Sequence, residues 1–312
     1  MVFFSMFALT RVHHQVLCPK MKKPDNPELR FGSAYRKEGL SLRRVALFRK
    51  MIHDHYSTEG RSLPWRRTRN PYRILVSEVM LQQTQVVRVL DKYRFFLKAF
   101  PDFHALARAS LADVLGVWQG LGYNGRAKAL KKTAEVVVSD FGGKLPLTTD
   151  ALIKFPGIGK YSAGAIYTFA TGKPSLFIET NIRRVYIHFF FGDKQGVGDA
   201  EIIPLIEKTM DRKNPREWYY ALMDYGVKLK QEVENPNRRS SSYRKQSPFR
   251  GSVRQLRGAI LRTLLKSARM TKSQIAKKVV GYTGDVDALL HDLVKEGFLE
   301  RKGGRFGIRQ GK

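Results

Sequence analysis

Residues 152–184 read LIKFPGIGKYSAGAIYTFATGKPSLFIETNIRR, and the fold turns on how this stretch is divided. Pro156, Gly157, Ile158, Gly159 and Lys160 sit between apolar runs, and the small residues Ser162, Ala163, Gly164 and Ala165 follow in a helix-like pattern. Two glycines two apart permit a tight turn with positive φ and close backbone approach. The amides opening the next helix can hold an anion such as phosphate, and Lys160 adds positive charge there. Twenty residues after Gly159 stands Glu179, a carboxylate among apolar and small neighbours, followed by Asn181 and two arginines. Two readings fit these residues. One is a phosphate grip followed by a reactive acid; the other is a helix–turn–helix packing corner with a capping Glu.

Upstream, Asn70-Pro71 starts a helix that reads PYRILVSEVMLQQTQVVRVL and continues through Val86–Ala99. Pro suits the first helical position. Glu78 lies between Val76 and Met80 on an otherwise apolar helix. Desolvation raises a carboxyl pKa, which is what a general acid needs at neutral pH. The alternative is a structural Glu satisfied by Arg73 or by a helix cap. Helical spacing is also read at Leu40–His55, Ala105–Ala109, Leu111–Trp118, Arg126–Val138, Ile182–Phe191, Ala200–Met210 and Arg216–Tyr225. Gly120–Tyr123 reads as a turn, and Thr148–Asp150 as the cap of the helix that enters the hairpin.

Composition restricts the function. The chain of 312 residues carries 57 basic and 27 acidic side chains, a net charge of +30 and a pI near 10.3. That favours a polyanionic partner, and no apolar run approaches the ~18 residues of a membrane span. A lone cysteine, Cys18, excludes an internal disulfide and a four-thiolate metal site. The expected location is cytoplasmic, associated with the nucleoid. Residues 1–40 read as a disordered or misassigned arm with Met21 a plausible start, and 41–230 as a helical domain. Residues 231–252 read as a basic, Ser-rich linker, and 253–312 as a separate module. In that module helices at Val253–Leu265, Thr271–Val279 and Asp285–Glu296 precede a hairpin turning at Gly303-Gly304, a winged-helix-like pattern.

Phe155–Ala165 resembles the hairpin of the helix-hairpin-helix DNA glycosylase superfamily. SEVMLQQTQV around Glu78 and GLGY-x-x-RA from Gly120 are similar to the MutY-type adenine DNA glycosylases within it, over about Leu63–Gly226. The resemblance implies a mainly α fold of two helical lobes with a cleft between them, plus the α+β C-terminal module. It implies a monomer that acts in base excision repair on double-stranded DNA holding a mismatch or an oxidised base. Such an enzyme flips the target nucleotide out of the stack. By position, Gln83 and Tyr123 open the stack, and Gln82, Thr84 and Leu121 lie at the DNA or the opposing base. Gly157, Gly159 and Lys160 meet the backbone together with Asn181. Trp65, Arg66 and Tyr220 line the base pocket. Glu78 protonates the adenine at N7, and Glu179 stabilises the sugar cation and helps deliver water, the two-acid logic of sugar hydrolysis.

Five features shape the expectations. The second acid is normally Asp, in an Asp-Gly-Asn run; here it is Glu179-Thr180-Asn181, which moves the charge by about one carbon–carbon bond, ~1.5 Å. Tyr161 stands where bifunctional relatives carry a Schiff-base lysine, and Lys160 is about 100° away around the helix, so a monofunctional enzyme is expected. The four cysteines that usually follow the Met-Asp-x-Gly segment (Met223–Gly226 here) are missing, the first position being Lys230, so no iron–sulfur cluster and no other cofactor or metal is expected. Finally, Tyr220 replaces a usual Glu or Gln, and the family's domain for 8-oxoguanine is not evident. A thymine or uracil mismatch glycosylase and a weakly catalytic mismatch- or lesion-binding protein are the alternatives.

Overall fold

The structure, a computed structural model, describes residues 27–310. In chain order the helices are α1 (Pro27–Glu38), α2 (Leu42–Glu59), α3 (Pro71–Leu81), α4 (Val86–Ala99), α5 (Phe103–Arg108), α6 (Leu111–Trp118), α7 (Gly125–Phe141), α8 (Thr149–Leu152), α9 (Lys160–Thr171), α10 (Thr180–Phe190), α11 (Asp199–Thr209) and α12 (Pro215–Glu232). The remainder is α13 (Val253–Leu265), β1 (Met270–Thr271), α14 (Lys272–Lys278), α15 (Val286–Lys295), β2 (Leu299–Lys302) and β3 (Arg305–Ile308). Most starts are capped by a short polar side chain that accepts an orphan amide bond. Asn70 does this for α3, Asp102 for α5, Ser110 for α6 and Thr148 for α8.

The two lobes are two cores. One is built from α4–α7 and carries Phe96, Trp118, Leu130 and Val137; the other, from α1, α2 and α10–α12, carries Phe48, Tyr186, Phe189 and Trp218. Helices α3 and α9 belong to both. Leu75 and Val76 enter the first core and Ile74 the second, while Ala163 and Ile166 divide in the same way from Ala165 and Phe169. The seam between the lobes therefore runs along α3, where Glu78 sits. The C-terminal module has an antiparallel sheet of order β1-β3-β2, with Phe306 opposite Met270 on one side and Arg301 on the other. Its Leu256, Ile260, Leu290 and Phe298 are continuous with the first lobe's core, so the module is fused to that lobe rather than tethered.

Several expectations are corrected. The helix read as continuous from Pro71 breaks after Leu81, and Gln83 takes a left-handed φ of 53°. No Gly or Pro marks that break; its cause is a distant arginine described below. Residues 27–38, assigned to an unstructured arm, form α1. Phe31 packs edge-on against Phe189 and Phe190 at 5.6 and 5.3 Å, and Glu28 bonds His188 at 2.9 Å, Lys228 at 3.1 Å and Tyr225. Burial alone would raise the Glu28 pKa, but these partners hold it down at about 2. Residues 1–26, including Met21 and Cys18, lie outside the described residues. Helix α12 runs to Glu232, seven residues past the expected Tyr225. In the expected linker, Asn237 and Ser240 are buried, and Ser240 bridges to Val197, so the continuously exposed connection is 241–251. The two-residue β1 had no sequence signal. No helix among the described residues is long and apolar enough to cross a membrane.

Phe31→Ala is expected to destabilise the protein by about 3 kcal/mol, read as a lowered urea midpoint. A loss under about 1 kcal/mol would show that α1 is not docked.

Candidate active site

Glu78 projects from α3 at the seam and is half-buried. No hydrogen bond to its carboxylate forms among the described residues. Burial, and then the charge of Glu179, push its pKa up to about 8, against the pull of Arg66. The carboxyl is therefore largely protonated at neutral pH. Arg73, the sequence candidate for its partner, is exposed on the other face of the helix.

Arg66 is kept from pairing with Glu78 because Asp224 holds it. Its Nη1 and Nη2 each donate to an Asp224 oxygen at 2.7 Å. Arg61 adds its backbone N–H at 2.8 Å and its Nε at 2.7 Å to the same carboxylate. Burial alone would raise the Asp224 pKa; the bonds from Arg66 and Arg61 outweigh it and hold the group below its ordinary value. The Arg66 guanidinium lies 4.7 Å over the Tyr220 ring, which stacks on Phe169. Trp65, expected beside the flipped base, is only 5% exposed and packs edge-on to Tyr93, so it backs the pocket from the core.

Glu179 serves both readings of its stretch. It is the N-cap of α10, with Oε1 accepting from the amides of Asn181 at 2.7 Å and Ile182 at 2.8 Å, and it still acts electrostatically on Glu78. Burial raises its pKa, while the two amides and then Arg184 and Arg183 oppose the rise. Because Glu179 accepts hydrogen bonds and Glu78 does not, Glu179 is the member of the pair that ionises first. Asn181, expected at the DNA, donates to Glu179 at 3.2 Å and accepts from Arg184 at 2.7 Å, so it braces the acid instead. Gly226 makes this possible: a Cβ there would lie 2.4 Å from the Asn181 carbonyl oxygen. Tyr161 is half-buried and bonded to Asp199, which Arg183 grips at 2.7 Å. Arg183 feels both Glu179 and Tyr161.

The hairpin is as the glycines suggested, with one change. Gly157 takes φ +75°, whereas Gly159 is extended and serves as the N-cap position of α9. Gly157, Gly159 and Lys160 are all exposed. Gln82, expected at the DNA, donates from Nε2 to the Gly157 carbonyl at 3.1 Å and so ties the hairpin to α3.

Beside the hairpin project two exposed side chains in left-handed conformation, Gln83 and Tyr123 (φ 46°). Among the described residues these are the two non-glycine positions with positive φ. One arginine organises both loops. Nη1 of Arg126 donates to the carbonyls of Val79, Met80 and Gln82 at 2.9, 2.8 and 2.5 Å. Its Nη2 donates to Thr84 Oγ1 at 2.9 Å and to the Leu121 and Gly122 carbonyls at 3.2 Å. Burial lowers its pKa to about 10, so it stays charged at neutral pH. Thr84 and Leu121, expected at the opposing base, serve the loops from within; Leu121 is 4% exposed. Arg126 and Asp224 were not singled out as functional in the sequence, although both lie inside quoted motifs. Their role depends on partners some 40 to 160 residues away.

Comparison with known proteins agrees with this geometry. Residues 76–204 match the model of the HhH-GPD superfamily base excision DNA repair proteins. The chain is 37% identical over 186 residues to the adenine DNA glycosylase of Buchnera aphidicola, covering 58% of this chain and 52% of that one. It is 30% identical over 272 residues to the adenine DNA glycosylase of Mycolicibacterium smegmatis, covering 81% and 93%. A thermostable thymine-DNA glycosylase structure superposes with a TM-score of 0.53 at 27% identity, covering 62% and 88%. The chain spans about half the length of the Buchnera relative.

Glu78→Gln tests the electrostatics. With a folded pKa near 8 and an ordinary value of 4.5, the native state holds a proton that the unfolded chain has lost between those values. Stability from this group therefore falls as pH rises through that window and levels off above it. The variant lacks that loss. It is expected to gain on the parent from about pH 5 to about pH 8, by on the order of 1–3 kcal/mol after discounting for the partial exposure of Glu78. A pH-independent difference in unfolding free energy would mean that Glu78 titrates normally.

Proposed function

The chain belongs to the HhH-GPD superfamily of base excision DNA repair proteins, and we propose that it is a monofunctional MutY-type adenine DNA glycosylase. The observation that carries the proposal is the pair of dissimilar carboxyls at the seam: one without partners and protonated, the other hydrogen-bonded and the first to ionise. Two titratable groups whose surroundings separate their pKa values supply an acid and a charge in one cleft.

The substrate is double-stranded DNA with adenine opposite 8-oxoguanine or G, bound by a monomer. The exposed hairpin with Lys160 holds the backbone, Tyr123 wedges between base steps and Gln83 bonds the orphaned base, so that the adenine enters the cleft. Glu78 gives its proton to N7. The C1′–N9 bond then breaks with its electrons going to the neutral leaving base, and positive charge develops on the sugar. The Glu179 carboxylate stabilises that charge, and water adds at C1′ as its proton passes to the carboxylate. Arg66, neutralised by Asp224, orders the pocket without taking the proton from Glu78. In this reading no lysine forms a Schiff base, because Tyr161 occupies that position in the resemblance. No iron–sulfur cluster belongs in this reading, since the sequence holds one cysteine and Lys230 lies inside α12. A thymine or uracil mismatch glycosylase is the second reading, favoured by the likeness to the thymine-DNA glycosylase structure.

Single-turnover base release is to be measured on duplexes with A opposite 8-oxoguanine, G, C or T, and with T or U opposite G. Adenine release should dominate and fall by roughly 10²–10⁴-fold in Glu78→Gln. Glu179→Gln, which removes the charge, should lose roughly a hundredfold or more, and Glu179→Asp, which keeps the charge but moves it, should lose less than Glu179→Gln. Release that survives Glu78→Gln, or a borohydride-trapped adduct that depends on Lys160, would contradict the mechanism.

A further inference from the structure

Residues 235–284 contain thirteen Lys and Arg and no Asp or Glu. Part of this charge is already paired: Arg238 with Glu234 at 2.8 Å, Arg269 with Glu300 at 2.5 Å, Lys272 with Asp287 at 3.0 Å. In the strap 243–254, which is exposed up to Gly251 and runs into the first turn of α13, Arg244, Lys245, Arg250 and Arg254 have no carboxylate partner among the described residues. Both ends of the strap are fixed. The Arg239 carbonyl accepts from the Val197 amide and the Ser241 amide donates to the Val197 carbonyl, and Ser252 caps α13, whose Leu256 and Ile260 lie in the first lobe's core. The strap also touches the wedge. Arg254 Nη1 donates to the Tyr123 hydroxyl at 3.1 Å, and Gln246 donates to the same oxygen, while Arg254 Nη2 holds the Ser247 carbonyl at 2.7 Å.

We propose that strap 243–254 is a second grip on the DNA phosphodiester backbone, clasped to Tyr123 so that backbone and wedge are engaged together. This rests on the DNA-directed function above. The geometry supplies cations without counter-charges, held at a fixed place beside the residue that enters the stack. Duplex phosphates are the matching partner, since each neutralised phosphate releases counterions.

The test is duplex binding as a function of salt, read by anisotropy on DNA with A opposite 8-oxoguanine. Arg244→Ala/Lys245→Ala/Arg250→Ala should reduce the slope of log K against log salt by about 2–3 and weaken binding by roughly tenfold or more near 0.15 M salt. The control Lys266→Ala/Lys277→Ala/Lys278→Ala removes three exposed lysines of the same acid-free run outside the strap. It should leave the slope within about 1. Equal effects of the two triples, or no effect of the first, overturn the grip. For the clasp, Tyr123→Phe and Arg254→Ala combined should weaken binding no more than the worse single variant; multiplying factors overturn it. If the unaltered protein releases no adenine yet the slopes separate as expected, the glycosylase reading fails and the grip stands. If adenine release depends on Glu78 but the slopes coincide, the grip alone fails.

Discussion

Glu78 is a carboxyl group that the fold desolvates without giving it a hydrogen-bond partner, and its neighbours are arranged around that fact. A desolvated carboxylate is unfavourable unless it is paired, so the group remains a neutral acid. A free arginine next to it would reverse this by stabilising the anion. Arg66 is close enough to act on Glu78, yet both its terminal nitrogens are bound to Asp224. Asp224 therefore governs the proton on Glu78 from a second layer. Two residues later, Gly226 lets α12 approach the start of α10, where Asn181 and Glu179 form their bonds. One short segment of α12 thus positions both acids.

The two loops that carry Gln83 and Tyr123 depend on Arg126 in the same way. A non-glycine residue in the left-handed region costs about 1–3 kcal/mol, and Gln83 and Tyr123 both adopt it. The strain persists because Arg126 binds five carbonyls and one hydroxyl drawn from the two loops. The end of α3 is capped by this guanidinium instead of by the usual glycine. That helix end sets the place of Gln83 relative to Glu78, one turn back on the same helix. Gln83, the Gly120–Tyr123 turn and the end of α3 are thereby held together by one side chain.

Much of this was legible in the sequence where the signal is local. Caps at Asn70, Asp102, Ser110 and Thr148 stand where their side chains can reach an amide three residues on. The extent of α13 and the turn at Gly303-Gly304 were readable for similar reasons of periodicity and turn chemistry. Glu78 was readable as a desolvated acid because its neighbours on α3 are apolar. What could not be read is non-local. The break after Leu81 is imposed by Arg126, 45 residues further along the sequence. Helix α1 is mostly polar and is held by Phe31 and Glu28 against α10 and α12. Leu121, Thr84, Gln82 and Asn181 were assigned to DNA by position; their bonds to Gly157, Arg126, Glu179 and Arg184 and the burial of Leu121 had no local signal.

The most direct measurement is the titration of Glu78 itself, by carboxyl carbon NMR on glutamate-labelled protein, with Glu78→Gln to assign the signal. A carboxyl titrating near pH 8, absent from the variant, is the expected result. A Glu78 signal that titrates near the ordinary 4.5 would contradict the central claim, because the group would then be an anion at neutral pH with no proton to give.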